Sequence, residues 1–273
     1  MADLQAQIEE LWERRTELEP GGKDASQTVL EAVTLLDTGE ARVAEVVDDQ
    51  VVVHQWLKEA ILLLFRLLAM STVEVGPFEF ADKIPLKGGY EKLGVRVVPC
   101  AQARFGSYLA PGVILMPSYT NIGARVGEGT MVDTWATVGS CAQIGANVHL
   151  SGGVGIGGVL EPPQAAPVIV GDDVTIGSRS MIVEGSRVGD GAFVGAGVIL
   201  AGSIPVIDAE TGEELSRGVI PPWCVAVQAQ RRREFPGGEF FLPCVLIIKR
   251  LNEGERHDKS KLNDLLRQHG ITS

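Results

Sequence analysis

The chain has 273 residues, a length that suits one large domain or two or three small ones. Its net charge of −11 disfavours nucleic acids and anionic membranes as partners, because both carry negative charge themselves. The longest apolar run, from Ala60 to Phe65, stops at Arg66 and is too short to span a bilayer. We therefore expect a globular protein that binds neither nucleic acid nor membrane. Small anionic ligands are still compatible with this charge, because they respond to local patches.

The four cysteines, Cys100, Cys141, Cys224 and Cys244, lack the spacing of a metal site. The chain also begins without the basic and apolar segments of a secretory signal peptide. Thiols stay reduced in the cytoplasm, where disulfides are rare. These observations predict a cytoplasmic protein with reduced cysteines.

The first part of the chain predicts an α-helical N-terminal domain over residues 1–97. Apolar residues recur there at spacings of three and four, as on one face of a helix. A first helix ends by Pro20, a second runs from a cap at Ser26 to Gly39, and a third covers Trp56 to Met70. Glycines and prolines interrupt residues 71–97, which we predict to be irregular.

A period of six then organises the chain, with an aliphatic residue at every sixth place and small residues or glycine nearby. The aliphatic register residues are Val126, Val132, Val138, Ile144, Leu150, Ile156, Val170, Ile176, Ile182, Val188, Val194 and Leu200. This pattern predicts a hexapeptide β-helix, in which three hexads close one triangular turn. The glycines that follow many register residues are expected to supply positive φ at the corners.

Two excursions interrupt or follow the repeat. The step from Ile156 to Val170 is fourteen residues rather than a multiple of six, so residues 161–168 form a loop outside the coil. We place the β-helix at residues 98–206 and assign residues 207–273 to a loop, C-terminal strands and a helix. The strands are expected at Cys224–Gln228 and Phe241–Lys249, and the helix at Lys259–His269.

Two residues of the repeat carry groups suited to proton transfer. Asp133 follows a register residue, where glycine is usual, and is either a turn aspartate or a catalytic base. His149 is the only histidine within the repeat; a structural or interface role is favoured over catalysis. A three-histidine zinc site needs more histidines in the coils, so we predict no metal.

Several arginines offer anion recognition. Arg104, Arg125 and Arg179 lie in or near the coils and can bind a carboxylate through two hydrogen bonds, although each also fits a surface ion pair. The basic run Arg231–Arg233 suits either coenzyme phosphates or a solvated surface. The chain contains neither a Walker loop nor a dinucleotide fingerprint.

Residues 131–145 (MVDTWATVGSCAQIG) and 147–162 (NVHLSGGVGIGGVLEP) closely resemble the tetrahydrodipicolinate N-succinyltransferase family. Shorter segments, HQWLK at residues 54–58 and RVVP at residues 96–99, support the resemblance. It runs from about residue 40 to the C-terminus and fits the whole length. These motifs are far more specific than the generic hexad.

The resemblance implies a mainly β protein built on a left-handed parallel β-helix, with a small C-terminal strand and helix extension. It implies a homotrimer with active sites between neighbouring coils. The implied reaction transfers succinyl from succinyl-CoA to the amine of tetrahydrodipicolinate, in its 2-amino-6-oxopimelate form, during lysine and diaminopimelate biosynthesis. Succinyl-CoA acts as cosubstrate, and no permanently bound cofactor or metal is implied.

The resemblance also implies roles for individual residues. Asp133 becomes the leading catalytic carboxylate, and Arg104 the leading dicarboxylate-binding residue, joined by Cys141 and Arg179. Many relatives carry an acid where this chain has Met181, so Glu184 becomes the substitute second acid. Residues that contact CoA stay unassigned.

Two alternatives stay open. One is another hexapeptide-repeat CoA acyltransferase that uses His149 as its base. The other is a catalytically silent β-helix that serves as an assembly module. The dense central motif and the extruded loop argue against the silent module.

Overall fold

A computed structural model describes residues 1–253 and Arg267 of the chain. It begins with helices α1 (Ala2–Glu13), α2 (Lys23–Thr38) and α3 (Gln55–Leu67), with a short 3-10 turn at Arg15–Glu17. Their apolar faces bury one shared cluster that includes Ile8, Val33 and Ile61. The three predicted helices are therefore confirmed, although the first ends several residues before Pro20. The predicted cap at Ser26 is wrong, because α2 begins at Lys23 and Ser26 lies inside it. None of the helices described is long and apolar enough to cross a membrane.

Two antiparallel hairpins accompany these helices. The first joins β1 (Ala44–Val47) to β2 (Gln50–Val53), and the second joins β3 (Ser71–Val75) to β4 (Phe78–Asp82). The prediction that residues 71–97 are irregular is wrong for this second hairpin. Gly76 has a φ of 59° at its turn, so the glycine that was read as a breaker is the point where the chain reverses.

Between Arg96 and Ile220 the chain winds through three sets of parallel strands, which we call face 1, face 2 and face 3. Face 1 contains β5 (Arg96–Val97), β8 (Ile114–Leu115), β11 (Met131–Val132), β14 (His149–Leu150), β17 (Thr175–Ile176) and β20 (Phe193–Val194). Face 2 contains β6 (Gln102–Ala103), β9 (Tyr119–Thr120), β12 (Thr137–Val138), β15 (Gly155–Ile156), β18 (Met181–Ile182) and β21 (Ile199–Leu200). Face 3 contains β7 (Tyr108–Leu109), β10 (Arg125–Val126), β13 (Gln143–Ile144), β16 (Ile169–Val170), β19 (Arg187–Val188) and β24 (Val219–Ile220).

The core of the coil consists of the register residues. All twelve predicted positions are at most 2% exposed, including Val132 and Leu150, which pair in parallel on face 1. Fully burying one such aliphatic side chain contributes roughly 1.5–3 kcal/mol. The predicted period of six and the inward direction of its aliphatic residues are confirmed.

The role predicted for the glycines needs correction. Positive φ occurs mainly two places later in the corner, for example at Trp135 (62°) and Cys141 (67°). Gly139 directly follows a register residue and has no positive φ, but a Cβ there would overlap the backbone of Gly158 in the next coil. These glycines are therefore needed for close stacking of successive coils rather than for a left-handed backbone.

The coil starts earlier and ends later than predicted. Its first strand begins at Arg96, and the chain returns to face 3 at Val219 after an excursion, beyond the predicted end at residue 206. The excursion is a hairpin of β22 (Pro205–Asp208) and β23 (Glu214–Arg217). A longer hairpin of β25 (Cys224–Phe235) and β26 (Gly238–Arg250) follows. Its strands are longer than predicted, and the helix expected at Lys259–His269 falls, apart from Arg267, outside the described residues.

Candidate active site

Two corners of the coil carry the predicted site residues. The Asp133 corner joins face 1 to face 2 and consists of residues 98–101, 116–118, 133–136, 151–154, 177–180 and 195–198. The Glu184 corner joins face 2 to face 3 and consists of residues 104–107, 121–124, 139–142, 157–160, 183–186 and 201–204. Within one chain, the two corners lie on opposite edges of face 2.

Asp133 and His149 contact each other at the Asp133 corner. The Nε2 atom of His149 lies 3.3 Å from Oδ2 of Asp133, and both side chains are about one-third exposed. Register explains the contact, because Met131 pairs with His149 and Asp133 follows two places later on the same outward side. Sequence reasoning weighed these residues as alternatives, whereas the structure makes them neighbours.

The backbone and the hydrogen bonds of Asp133 favour a functional carboxylate over a turn residue. Asp133 is not among the residues with positive φ, so the left-handed tolerance of aspartate does not explain its presence. Partial burial raises the pKa of Asp133, but a 2.6 Å hydrogen bond from the backbone N–H of Thr134 and the contact with His149 outweigh it. The net pKa lies below its usual value, so the carboxylate is ionised at neutral pH.

Trp135 and Arg179 share this corner. Trp135 is 75% exposed with a φ of 62°, and Arg179 occupies the same place two coils further on with a φ of 59°. Gly153 lies between them, and a Cβ there would be 3.2 Å from Cγ of Arg179. Sequence reasoning missed Trp135, although a large aromatic residue at a corner place that usually holds a small residue was a visible signal.

Arg104 lies at the opposite edge of face 2, in a cleft of about 770 Å³ between the β3–β4 hairpin and the coil. Its guanidinium donates to Oδ2 of Asp82 at 2.6 Å and to Oδ1 of Asn121 at 3.2 Å. The cleft is lined by apolar residues of the hairpin and of residues 84–86, together with polar residues that include Asp82 and Tyr119. Arg104 is therefore ion-paired with Asp82 in this cleft, and within one chain it lies on the opposite edge of face 2 from Asp133.

Glu184 and Met181 lie on or near the Glu184 corner. Glu184 is exposed and has a φ of 55°, a left-handed conformation that is unusual for glutamate. Met181 is 41% exposed on face 2, where its side chain lies over Gly155. Glu184 does not join Asp133 within the same chain, because face 2 separates the two corners, and Met181 lies on face 2 between them.

Cys141 does not fit the substrate-binding role expected for it. Its side chain is fully buried within the helical cluster that includes Ile61 and Ile122. Burial raises the pKa of this thiol to about 12. A buried neutral thiol cannot contact a substrate in this arrangement, so Cys141 leaves the candidate set.

The sequence predicted that the basic run Arg231–Arg233 lies between two strands. In the structure it lies within β25. Arg231 pairs with Glu214 at 2.7 Å, and Arg232 pairs with Glu239 at 2.5 Å. These ion pairs favour a solvated surface over a phosphate site. Across residues 1–253, no group of three or more histidine, cysteine or acidic side chains is placed to hold a metal ion.

Comparison with protein-family models identifies two segments. Residues 3–67 match the model described as "Tetrahydrodipicolinate N-succinyltransferase N-terminal". Residues 167–201 match the model described as "Hexapeptide repeat of succinyl-transferase". The first match covers the helical region, and the second covers part of the coil.

Similar proteins extend the match over the whole chain. A 2,3,4,5-tetrahydropyridine-2,6-dicarboxylate N-succinyltransferase from Caulobacter vibrioides is 47% identical over 98% of this chain and 100% of its own length. Another from Acinetobacter baylyi is 48% identical over 98% of this chain and 99% of its own length.

A solved structure supports the fold alone. It is described as a candidate 2,3,4,5-tetrahydropyridine-2-carboxylate N-succinyltransferase from Campylobacter jejuni. Its TM-score is 0.51 at 20% identity, over 81% of this chain and 62% of that one. The two relatives from Caulobacter vibrioides and Acinetobacter baylyi share nearly half of their residues with this chain over almost its full length. The chain therefore belongs to the tetrahydrodipicolinate N-succinyltransferase family.

Proposed function

We propose that this protein transfers succinyl from succinyl-CoA to the amine of tetrahydrodipicolinate, in its 2-amino-6-oxopimelate form. The products are N-succinyl-2-amino-6-oxopimelate and CoA, in lysine and diaminopimelate biosynthesis. Relatives named for this activity match the chain from end to end. The observation that carries the proposal is the contact of Asp133 with His149 on an open corner of the coil. Four free cysteines support a cytoplasmic location.

In the proposed mechanism, the amine nitrogen attacks the thioester carbonyl while a base removes its proton. The ionised Asp133 carboxylate attracts the substrate ammonium, accepts the proton and leaves the nitrogen lone pair free to attack. As the intermediate collapses, its electrons leave with the sulfur of CoA, which takes up the second proton that the nitrogen loses as the amide forms. Arg179, exposed on the same corner, can bind a carboxylate of the acceptor.

A second arrangement assigns proton removal to His149. The lowered pKa of Asp133 favours it, because a general base is most effective when its pKa lies near the working pH. Asp133 would then orient the imidazole through the 3.3 Å contact and stabilise the imidazolium. Both arrangements use the same two residues and the same reaction.

We further infer that a complete site forms between copies of the chain. Asp133 and Arg179 lie on one edge of face 2, whereas Arg104 and Glu184 lie on the other. Packing the Asp133 corner of one copy against the Glu184 corner of the next would bring both sets together. A homotrimer of left-handed coils provides such a heterologous, closed arrangement.

The test is thiol release from succinyl-CoA, followed with a chromogenic thiol reagent, with and without tetrahydrodipicolinate. We expect release only with acceptor present, and a loss of at least about a hundredfold in Asp133→Asn. Glu128→Gln removes an exposed carboxylate from another corner and is the matched control. Acetyl-CoA in place of succinyl-CoA tests donor choice. Absence of acceptor-dependent release in the wild type would contradict the proposed reaction.

A further inference from the structure

Lys58 is a buried cation in the first turn of α3. Its side chain is fully buried, which is rare for lysine because an ammonium loses its hydration there. Burial lowers its pKa, and the ionisable group that opposes this lowering is the buried thiol of Cys141 rather than a carboxylate. Instead, Nζ donates to the carbonyl oxygens of Ala165 at 2.7 Å and Pro162 at 3.2 Å. Lys58 therefore donates these hydrogen bonds to the extruded loop, the segment outside the coil that follows Leu160.

The extruded loop has little internal support of its own. Across residues 161–167, the backbone hydrogen bond within the loop runs from the N–H of Ala165 to the carbonyl of Pro162. Glu161, Pro162 and Gln164 are exposed. The two carbonyls that Lys58 holds flank this turn, so one ammonium fixes the turn against α3.

The other end of the loop rests on the Glu184 corner. A Cβ at Gly185 would lie 2.6 Å from the carbonyl oxygen of Ala166, so the two backbones are in direct contact. Gly185 follows Glu184, and both have positive φ, at 69° and 55°. A left-handed glutamate persists only where its surroundings hold it. The loop thus connects α3 to the corner that carries Glu184, through the residue that follows it.

We propose that Lys58 is a positioning residue for the active site: by fixing residues 161–167, it holds Glu184 in its left-handed conformation and directs that carboxylate. The proposal rests on the proposed function, since it requires Glu184 to act in the reaction. It assigns the helical domain a part in catalysis through one buried cation. Lys58 itself does not touch the substrate.

Hydrogen exchange and kinetics on the full-length protein test this. Lys58→Met keeps the length of the side chain and removes its donors. We expect amides of residues 161–167 and 183–186 to exchange at least about tenfold faster, because charge-assisted hydrogen bonds are lost. We also expect kcat for thiol release to fall about tenfold with little change in the KM for succinyl-CoA.

Lys87→Met is the matched control. Lys87 is also a buried lysine that contacts the helical domain, but it pairs with Asp37 of α2 at 2.7 Å and not with residues 161–167. It should leave exchange of residues 161–167 unchanged. Faster loop exchange in both variants would overturn the proposal, because general loosening would then explain the effect.

Gly185→Ala approaches the same connection from the other end and serves if Lys58→Met does not fold. Its Cβ would collide with the carbonyl of Ala166, so the same amides should exchange faster and kcat should fall. Unchanged loop exchange, or an unchanged kcat despite faster exchange, would overturn the positioning role in an active enzyme. A wild type without acceptor-dependent thiol release would instead contradict the proposed reaction and, with it, the catalytic role of the loop.

Discussion

Cys100 and Cys141 show how differently two corners of one repeat can be used. Both occupy the third place of a corner, and their φ values are similar, at 74° and 67°. Cys100 lies exposed on the Asp133 corner, whereas Cys141 is fully buried on the Glu184 corner under the helical domain. Ile122 and Cys141 extend the helical core onto the coil. The backbone repeat alone therefore does not set exposure. The helical domain covers part of the Glu184 corner, including Cys141, while Glu184 itself stays exposed.

The largest effect is expected when two inactive variants, one altered at each corner, are assembled into mixed trimers. Asp133→Asn and Glu184→Gln should each reduce activity at least about a hundredfold, because each removes one proposed catalytic carboxylate. Trimers assembled from equal amounts of both should regain about one quarter of wild-type activity, since one site in four receives both intact residues. Thiol release after co-refolding measures the recovery. Activity that stays at the level of the separate variants would contradict a site shared between copies.

Thiol reactivity compares the corners directly. In the native protein at neutral pH, a maleimide should modify Cys100 at least about a hundredfold faster than Cys141, because burial shields Cys141 and raises its thiol pKa to about 12. Peptide mass spectrometry after timed quenching measures both rates in one sample. Equal rates in urea provide the control, and rapid native labelling of Cys141 would contradict its burial.

Removing packing should affect the covered corner much more than the open one. Ile122→Ala should lower the free energy of unfolding by about 2–4 kcal/mol, because it leaves a cavity at a fully buried site. Cys100→Ala, on the exposed corner, should change it by about 0.5 kcal/mol or less. Urea denaturation at fixed protein concentration measures both. Comparable losses would show that the Asp133 corner is also buried in the assembled protein.

The pH dependence distinguishes the two bases of the open corner. If Asp133 accepts the proton directly, the acidic limb of kcat/KM should lie below about pH 3.9, since its pKa is lowered from the usual value. If His149 is the base, the acidic limb should instead change in His149→Gln, because the group that accepts the proton has been removed. The stability contributed by ionised Asp133 should likewise be present above its unfolded pKa and be lost as pH falls through the lower folded pKa. A limb near neutral pH that survives in His149→Gln would exclude both assignments.

The smallest change in activity is expected at Gly153. Gly153→Ala places a methyl group 3.2 Å from Cγ of Arg179 and forces alanine into a φ of 73°. We expect a loss of stability of about 1 kcal/mol and a severalfold rise in the KM for the acceptor, as Arg179 shifts. Arg179→Lys should raise the same KM without the loss of stability. An unchanged KM in both variants would remove Arg179 from the substrate site.

Many residues of the candidate site could be predicted from the sequence. Their separation onto two corners of the coil could not. The motif around Asp133 and the arginines stands out by residue type, and the structure brings Asp133, His149 and Arg179 to one corner. The separation from Arg104 and Glu184 depends on which face each hexad occupies. The sequence analysis did not select Trp135 or Lys58, because a local pattern does not specify the exposure of a side chain or its contacts with distant segments.

The sequence by itself determined the coil. A period of six with aliphatic register residues is local, and burial of those side chains drives the same fold in every turn. Tertiary structure decided which corners are covered, where Cys100 and Cys141 differ despite the same residue type and backbone, and where Lys58 finds its partners. Those outcomes depend on contacts between segments far apart in the chain, which a repeat pattern does not encode. The register therefore followed from local chemistry, while the arrangement of the candidate site followed from packing.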